Sequence, residues 1–133
     1  METSATTRIR YGETDQMGVV YHANYLIYFD LGRTEYLRAR GCPIGELERR
    51  GFFLPVVKAG IRYKASARYD DLLIISTRLE NVNKFAVTFY HKVMKEEGSV
   101  PLAEGTVTLA CVTREEKLQR MPTDVMAALA DNG

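Results

Sequence analysis

One helical pattern limits what this chain can fold into. Between His22 or Ala23 and Arg40, the residues Tyr25, Tyr28, Phe29, Gly32, Tyr36 and Leu37 recur at i, i+3, i+4, i+7, i+11 and i+12. They therefore share one face of a helix, while Asp30, Arg33, Arg38 and Arg40 fall largely elsewhere. A glycine inside a helix costs about 1 kcal/mol against alanine. Gly32, set in the apolar stripe, thus marks the close approach of another backbone. Arg38 and Arg40 suit the negative end of the helix dipole, and Gly41 is a natural stop. A helix with so wide an aromatic face needs a broad apolar surface to cover it.

Strands supply that surface. Residues 1–6 read as a frayed tail, and Thr7 to Tyr11 as a short half-exposed strand with Ile9 and Tyr11 on one side. Gly12 to Tyr21 has no helical period and reads as a structured loop. Beyond the helix, Pro43 opens a short second helix, Ile44 to Arg50, closed by Gly51. Extended patterns follow at Phe52–Ala65, Leu72–Asn81, Phe85–Lys95 and Leu102–Thr113. The third alternates clearly, with Phe85, Val87, Phe89, His91 and Val93 on one face. Turn residues separate the later strands at Tyr69–Asp71, Asn81–Lys84 and Glu96–Ser99, and links this short suit antiparallel neighbours. Pro122 starts a C-terminal helix, Thr123 to Ala130. The order predicts an α+β domain: a curved antiparallel sheet of about five strands with the long helix on its concave face. At 133 residues the chain is one domain, large enough to fold without a disulfide or metal.

Composition narrows the function. Eighteen basic residues against 17 acidic ones leave no excess charge for a general nucleic-acid or anionic-membrane surface. Cys42 and Cys111 are far apart and in no metal-ligand spacing, which favours a reducing cytoplasm. The first seven residues carry neither the basic nor the apolar region of a secretory signal, and no apolar run is long enough for a membrane span. There is no Gly-x-Ser-x-Gly elbow, phosphate loop, Cys-x-x-Cys or His-Glu-x-x-His, and His22 and His91 are the only histidines. An enzyme built on this chain works with carboxylates, backbone donors and water, and no cofactor or metal is implied.

The stretch from Tyr11 to Tyr25 carries the candidate chemistry. Asp15 lies in a loop among Met17, Val19 and Val20, seven residues before His22 at the helix start. A loop carboxylate is most often a turn residue or a cap, and His22 has an equally plain role in holding the loop by a side-chain hydrogen bond. Against this stands the local chemistry. A helix N-terminus offers unpaired N–H groups and a positive dipole end, which polarise a carbonyl placed there. A carboxylate across from that carbonyl attacks it, or deprotonates a water that does. Asn24 is placed to bond loop carbonyls, and Tyr25, Tyr28 and Phe29 belong to the core by their spacing.

The run Asp15-x-x-Gly18-Val19-Val20-Tyr21-His22-Ala23-Asn24-Tyr25 resembles the signature of the 4-hydroxybenzoyl-CoA thioesterase-like family of hotdog-fold proteins. It is closest to the YbgC-like, tol-pal-associated branch of acyl-CoA thioesterases. Arg33-Thr34-Glu35, Arg62-Tyr63 and Ala67-Arg68-Tyr69-Asp70-Asp71 extend the likeness over residues 8 to about 114. The resemblance implies a hotdog fold, a homodimer or a homotetramer built as a dimer of dimers, and hydrolysis of acyl-CoA at a subunit interface. It puts Asp15 in catalysis, with the backbone N–H at His22 holding the thioester carbonyl. Gly18, Val19, Tyr21, Asn24 and Tyr25 of the signature then lie around the substrate. CoA phosphates need positive charge; Arg68 and Lys84 are the first candidates, with Lys58, Arg62 and Lys64 beside them. Glu35 lies about 20 Å along the helix from His22 at 1.5 Å per residue and reads as structural, paired with Arg38 or Arg62. Two other readings remain: a hotdog hydratase or dehydratase with histidine chemistry, and a non-catalytic acyl-CoA or acyl-carrier binding protein.

Overall fold

The computed structural model describes residues 2–130; Met1 and residues 131–133 lie outside the described residues. Five strands form one antiparallel sheet: β1 (Glu2–Arg8), β2 (Val56–Tyr63), β3 (Leu72–Val82), β4 (Ala86–Lys95) and β5 (Val100–Ala110). Their spatial order is β1-β3-β4-β5-β2. The long helix α1 (Asn24–Ala39) packs on β1, β3 and β4, giving the hotdog arrangement of a helix wrapped by a sheet. Two shorter helices, α2 (Ile44–Arg49) and α3 (Thr123–Ala130), close the domain.

The helix face expected from spacing is the buried face. Tyr25, Tyr28, Phe29, Gly32, Tyr36 and Leu37 are the buried residues of α1. They meet Leu73 and Ile75 of β3 and Val87, Phe89, His91 and Val93 of β4, all buried on one side of the sheet by strict alternation. Gly32 is required at the crossing. A Cβ there would overlap Thr77 Oγ1 and stand 2.8 Å from Ile75 Cγ2 and 3.2 Å from His91 Nδ1. The close approach is therefore to side chains of β3 and β4, not to another backbone. After α1, Gly41 adopts φ +78° and the Cys42 N–H donates to the Leu37 carbonyl at 3.0 Å, which ends the helix as its sequence required. The C-terminal helix is tied back by Tyr36, whose hydroxyl donates to the Leu129 carbonyl at 3.2 Å, and by a two-pronged Arg50–Asp124 pair at 3.1 Å.

Two expectations about the N-terminus are corrected. Residues 2–6 are not a tail: they belong to β1, which pairs with β3 from Glu2↔Arg78 to Arg8↔Leu72. The strand is polar because it is an outer strand with one face open, and backbone pairing needs no apolar side chains. It also stops at Arg8, so Ile9 and Tyr11 do not share a strand face. Ile9 is buried, whereas Tyr11 is exposed and begins a 3₁₀ turn, Tyr11–Glu13.

His91 sits inside the core with its ring stacked on Phe29 at 4.7 Å and Nδ1 2.8 Å from Thr77 Oγ1. Burial, with a smaller contribution from the Arg33 charge, pushes its pKa down to about 3 from 6.5. Between those values the unfolded chain binds a proton at this position and the folded chain does not. Stability contributed by the neutral ring is therefore present above about pH 6.5 and falls as pH drops, by up to about 1.4 kcal/mol per unit. Chemical denaturation from pH 7 to pH 4 should show a steeper loss for wild type than for His91→Asn. Parallel curves would remove His91 from the acid sensitivity.

Candidate active site

Glu13 organises the segment that leads into α1. Its carbonyl accepts from the Tyr21 N–H at 3.0 Å and from Asn24 Nδ2 at 2.9 Å. Its carboxylate accepts from the Tyr28 hydroxyl at 2.6 Å and from Arg10 Nε at 3.0 Å. Burial alone would raise the Glu13 pKa, but the bonds from Tyr28 and Arg10 outweigh it and hold the carboxyl below its ordinary value. Burial and the Glu13 carboxylate together push the Tyr28 hydroxyl up, so this is a phenol donating to a carboxylate. One residue thus joins both ends of the loop to the helix.

Between those ends the chain makes a small hairpin. Thr14 bridges Val20, the Asp15 N–H donates to the Val19 carbonyl at 2.9 Å, and the Gly18 N–H returns to the Asp15 carbonyl at 2.9 Å. Gly18 has φ +79°, a conformation that glycine adopts without strain. The hairpin is held to the sheet by a Val19–Arg68 bridge and by the Val20 N–H donating to the Ala67 carbonyl at 2.8 Å. The region is a structured loop, as expected, ordered by isolated bridges at Thr14–Val20 and Val19–Arg68.

Asp15 serves as turn residue and cleft residue at once. Oδ1 accepts from the Met17 N–H at 2.9 Å, the Asx-turn role. Oδ2 has no hydrogen bond among the described residues. The side chain lines a cleft of about 200 Å³ together with Val19, Val20, His22, Tyr25, Tyr63, Ala65 and Ser66. The helix start faces the same cleft. The first amides of α1 pair with the turn before them, Asn24 N–H to the Tyr21 carbonyl and Tyr25 N–H to the His22 carbonyl. The N–H groups of His22 and Ala23 have no such partner among the described residues. The arrangement brings Asp15, with one unpaired carboxylate oxygen, and His22, with an unpaired helix-start amide, to one small cleft.

The other candidates fall in different places. The His22 imidazole is exposed and makes no hydrogen bond among the described residues; it lies against Tyr21 at 4.6 Å and edge-on to Tyr63 at 6.2 Å. The loop is held by Asn24 and Glu13 instead. Tyr25 is core and cleft floor together. Arg68 is exposed, its guanidinium 3.6 Å from where a Cβ on Gly18 would stand, at the rim of the hairpin. Lys84 is at the other end of β3 from the cleft, roughly 33 Å away by strand rise, so one chain does not bring it to Asp15. Lys64 is paired with Glu104 at 2.9 Å, and Glu35 with Arg38 at 3.3 Å. Asp71 is a turn cap, accepting from the Arg68 N–H at 2.8 Å.

Tyr63, named in the sequence only as part of the family likeness, also lines the cleft. Its hydroxyl donates to the His22 carbonyl at 3.0 Å and its ring meets Tyr25 at 5.5 Å. The available signal was an aromatic at the exposed end of a strand, directly before the small residues Ala65 and Ser66. Among the described residues no group of three histidine, cysteine or carboxylate side chains is arranged to hold a metal ion, and no helix is long and apolar enough to cross a membrane.

Comparison with known proteins agrees with this fold. Residues 9–129 match the sequence profile of the Thioesterase-like superfamily. The acyl-CoA thioesterase YbgC of Haemophilus influenzae is 36% identical over 127 residues, covering 94% of this chain and 92% of that protein. A putative acyl-CoA thioesterase of Bacillus subtilis, YneP, is 35% identical over 107 residues, covering 80% and 77%. A hypothetical protein of Thermus thermophilus, TT1821, superposes with a TM-score of 0.91 at 38% identity, covering 98% of this chain and 96% of that one. With its wrapped central helix and a match spanning nearly the whole domain, the chain belongs to the Thioesterase-like superfamily and is a hotdog-fold thioesterase.

Proposed function

We propose that the protein hydrolyses acyl-CoA thioesters to the free acid and CoA, with Asp15 supplying the reactive carboxylate. The observation that carries this is the cleft lined by Asp15, whose Oδ2 is unpaired, and by His22, whose N–H is unpaired, among the described residues. The thioester carbonyl oxygen lies at that amide, where charge developing on it is stabilised. Asp15 then attacks the carbonyl carbon, giving a mixed anhydride that water opens, or it takes a proton from a water that attacks directly. In both routes the C–S bond breaks, the sulfur leaves as thiolate and is protonated, and one water is consumed. The close sequence relatives named as acyl-CoA thioesterases support the substrate class. Two free, buried cysteines are in keeping with the expected cytoplasmic placement.

Assembly belongs to the same proposal. β2 is an edge strand bonded on one side only, to β5. Its residues are nearly all exposed although the sequence is apolar, with Val57 60% exposed and Tyr63 48%. The opposite edge, β1, is polar. An open apolar edge is a pairing surface, so the chain forms at least a dimer through β2. A monodisperse monomer in light scattering at assay concentration would remove this part of the account.

A thiol-release assay tests the chemistry. Asn nearly matches Asp in shape, so Asp15→Asn keeps the fold but loses the charge and the basic lone pair. A positioned general base contributes about 10²–10⁴-fold. We expect kcat to fall at least about 100-fold with KM changed by only a few-fold. His22→Ala should cost less, because its N–H survives. In the same assay Arg68→Ala should raise KM and leave kcat nearly unchanged, as a contact to CoA phosphate that is uniform through the reaction. Lys84 fits that role only from a second subunit. Wild-type turnover in a folded Asp15→Asn protein contradicts the mechanism; loss of activity in His22→Ala alone points to histidine chemistry instead.

A further inference from the structure

The helix α1 begins without a side-chain cap. Ala23 stands at the N-cap position in a helical conformation, φ −65° and ψ −22°, and makes no side-chain hydrogen bond. Serine, threonine, aspartate or asparagine at that position ordinarily bonds a first-turn amide. A helix end left without such a bond frays. Here the helix start carries the His22 N–H, and the chemistry of the cleft depends on where that group points.

The segment from Tyr63 to Arg68 restrains it from the sheet side. The segment leaves the end of β2, where the Lys64 N–H donates to the Leu102 carbonyl at 2.8 Å. At its first residue, the Tyr63 hydroxyl donates to the His22 carbonyl at 3.0 Å, beside the bond from the Tyr25 N–H at 3.2 Å. The Tyr63 ring also stands edge-on to Tyr25 at 5.5 Å. At its far end, the Ala67 carbonyl accepts from the Val20 N–H at 2.8 Å and Arg68 bridges Val19. Ala65 and Ser66, between the two ends, line the cleft. One short stretch is thus fastened to the helix start and to the Asp15 hairpin, and it sets the separation of carboxylate and amide. All of these bonds lie within one chain.

The two fastenings differ in kind. On the hairpin side they are backbone bonds. On the helix side the hydrogen bond comes from a single phenol, on a side chain that is half exposed and so is not there to fill the core. The helix packs mainly on β1, β3 and β4, so the far edge of the sheet reaches its start through Tyr63. The bond also completes a pair. The Asn24 N–H holds the Tyr21 carbonyl at 2.9 Å, on one side of His22, and the Tyr63 hydroxyl holds the His22 carbonyl on the other. With both flanking carbonyls held, the N–H between them keeps one direction.

We propose that Tyr63 is a positioning residue for thioester hydrolysis: its hydroxyl holds the start of α1 so that the His22 N–H meets the thioester oxygen while Asp15 faces the carbon. The inference rests on the thioesterase reading. Loss of one oxyanion donor costs about 10²–10³-fold in kcat, and displacement of a group by about 1 Å can cost about 10²-fold. In Tyr63→Phe the donor stays and its restraint goes, so kcat should fall about 10–100-fold. KM should stay within a few-fold, and the melting temperature close to wild type. A tyrosine that only stabilised the fold would lower the melting temperature and leave kcat alone.

Two further readouts separate positioning from stability. Asp15→Asn and Asp15→Asn/Tyr63→Phe proteins are each loaded with an acyl-CoA carrying ¹³C at the thioester carbonyl, and the labelled stretch should lie nearer its free frequency in the double variant. Tyr63→difluorotyrosine keeps the ring and the hydroxyl, and its phenol loses the proton at lower pH than tyrosine does. Its kcat should fall as that donor is lost, across a range in which wild type holds its rate. Unchanged kcat in folded Tyr63→Phe overturns the proposal, as does a raised KM at unchanged kcat, which marks a contact to the substrate instead. Equal stretches in the two Asp15→Asn proteins, or a difluorotyrosine profile that follows wild type, overturn it as well. Absence of turnover in wild type on acyl-CoA overturns the thioesterase reading and this proposal with it, whereas wild-type turnover matched by Tyr63→Phe overturns the proposal alone.

Discussion

The structure depends on how Glu13 holds the loop to the helix. Five donors converge on this residue: the Tyr21 amide and Asn24 side chain on its carbonyl, and the Tyr28 hydroxyl and both the backbone N–H and guanidinium of Arg10 on its carboxylate. A ten-residue loop closed at both ends cannot drift along the helix, and the hairpin within it inherits that position. Asp15 is thereby fixed beside the helix start without any side chain gripping its second oxygen. The rest of the domain serves this placement. Gly32 lets α1 lie close on β3 and β4, and the buried aromatic face of α1 leaves the helix little freedom to roll or slide.

This division of labour separates holding from reacting. Asn24 and Tyr28 each donate a side-chain hydrogen bond to Glu13 and so hold the loop. Asp15 Oδ2 and the first amides of the helix are left over. Buried polar groups in a packed protein are mostly paired, so groups left unpaired beside a cleft are the ones open to a ligand. Tyr63 adds a second restraint from the sheet side, since its hydroxyl holds the His22 carbonyl while leaving the amides free.

Much of this was legible in the sequence because it repeats. The α1 stripe and the β4 alternation follow fixed periods, and each residue named from the period is buried, apart from Phe85 at the strand's exposed start. The C-terminal helix has the bounds expected from Pro122 onward. What sequence hid was pairing. Glu2–Arg8 carries no apolar alternation, so its strand exists only because β3 offers an edge. Tyr63 belongs to the site because β2 ends beside His22, a fact of topology. Gly32 announced a close approach, but only the structure identifies Thr77, Ile75 and His91 as the groups approached. Of the two first basic candidates for phosphate, Arg68 is carried to the hairpin by the Val19 bridge, and Lys84 is carried away by the length of β3.

The central claim is that a thioester carbonyl is polarised by the unpaired amide at the start of α1 while Asp15 faces it. Infrared difference spectroscopy reads this directly. The Asp15→Asn protein is loaded with an acyl-CoA carrying ¹³C at the thioester carbonyl, so that the complex forms without turning over. Hydrogen bonding from a helix-start donor should shift the labelled C=O stretch to lower frequency than in free acyl-CoA. A bound carbonyl that vibrates at its free frequency would contradict the account.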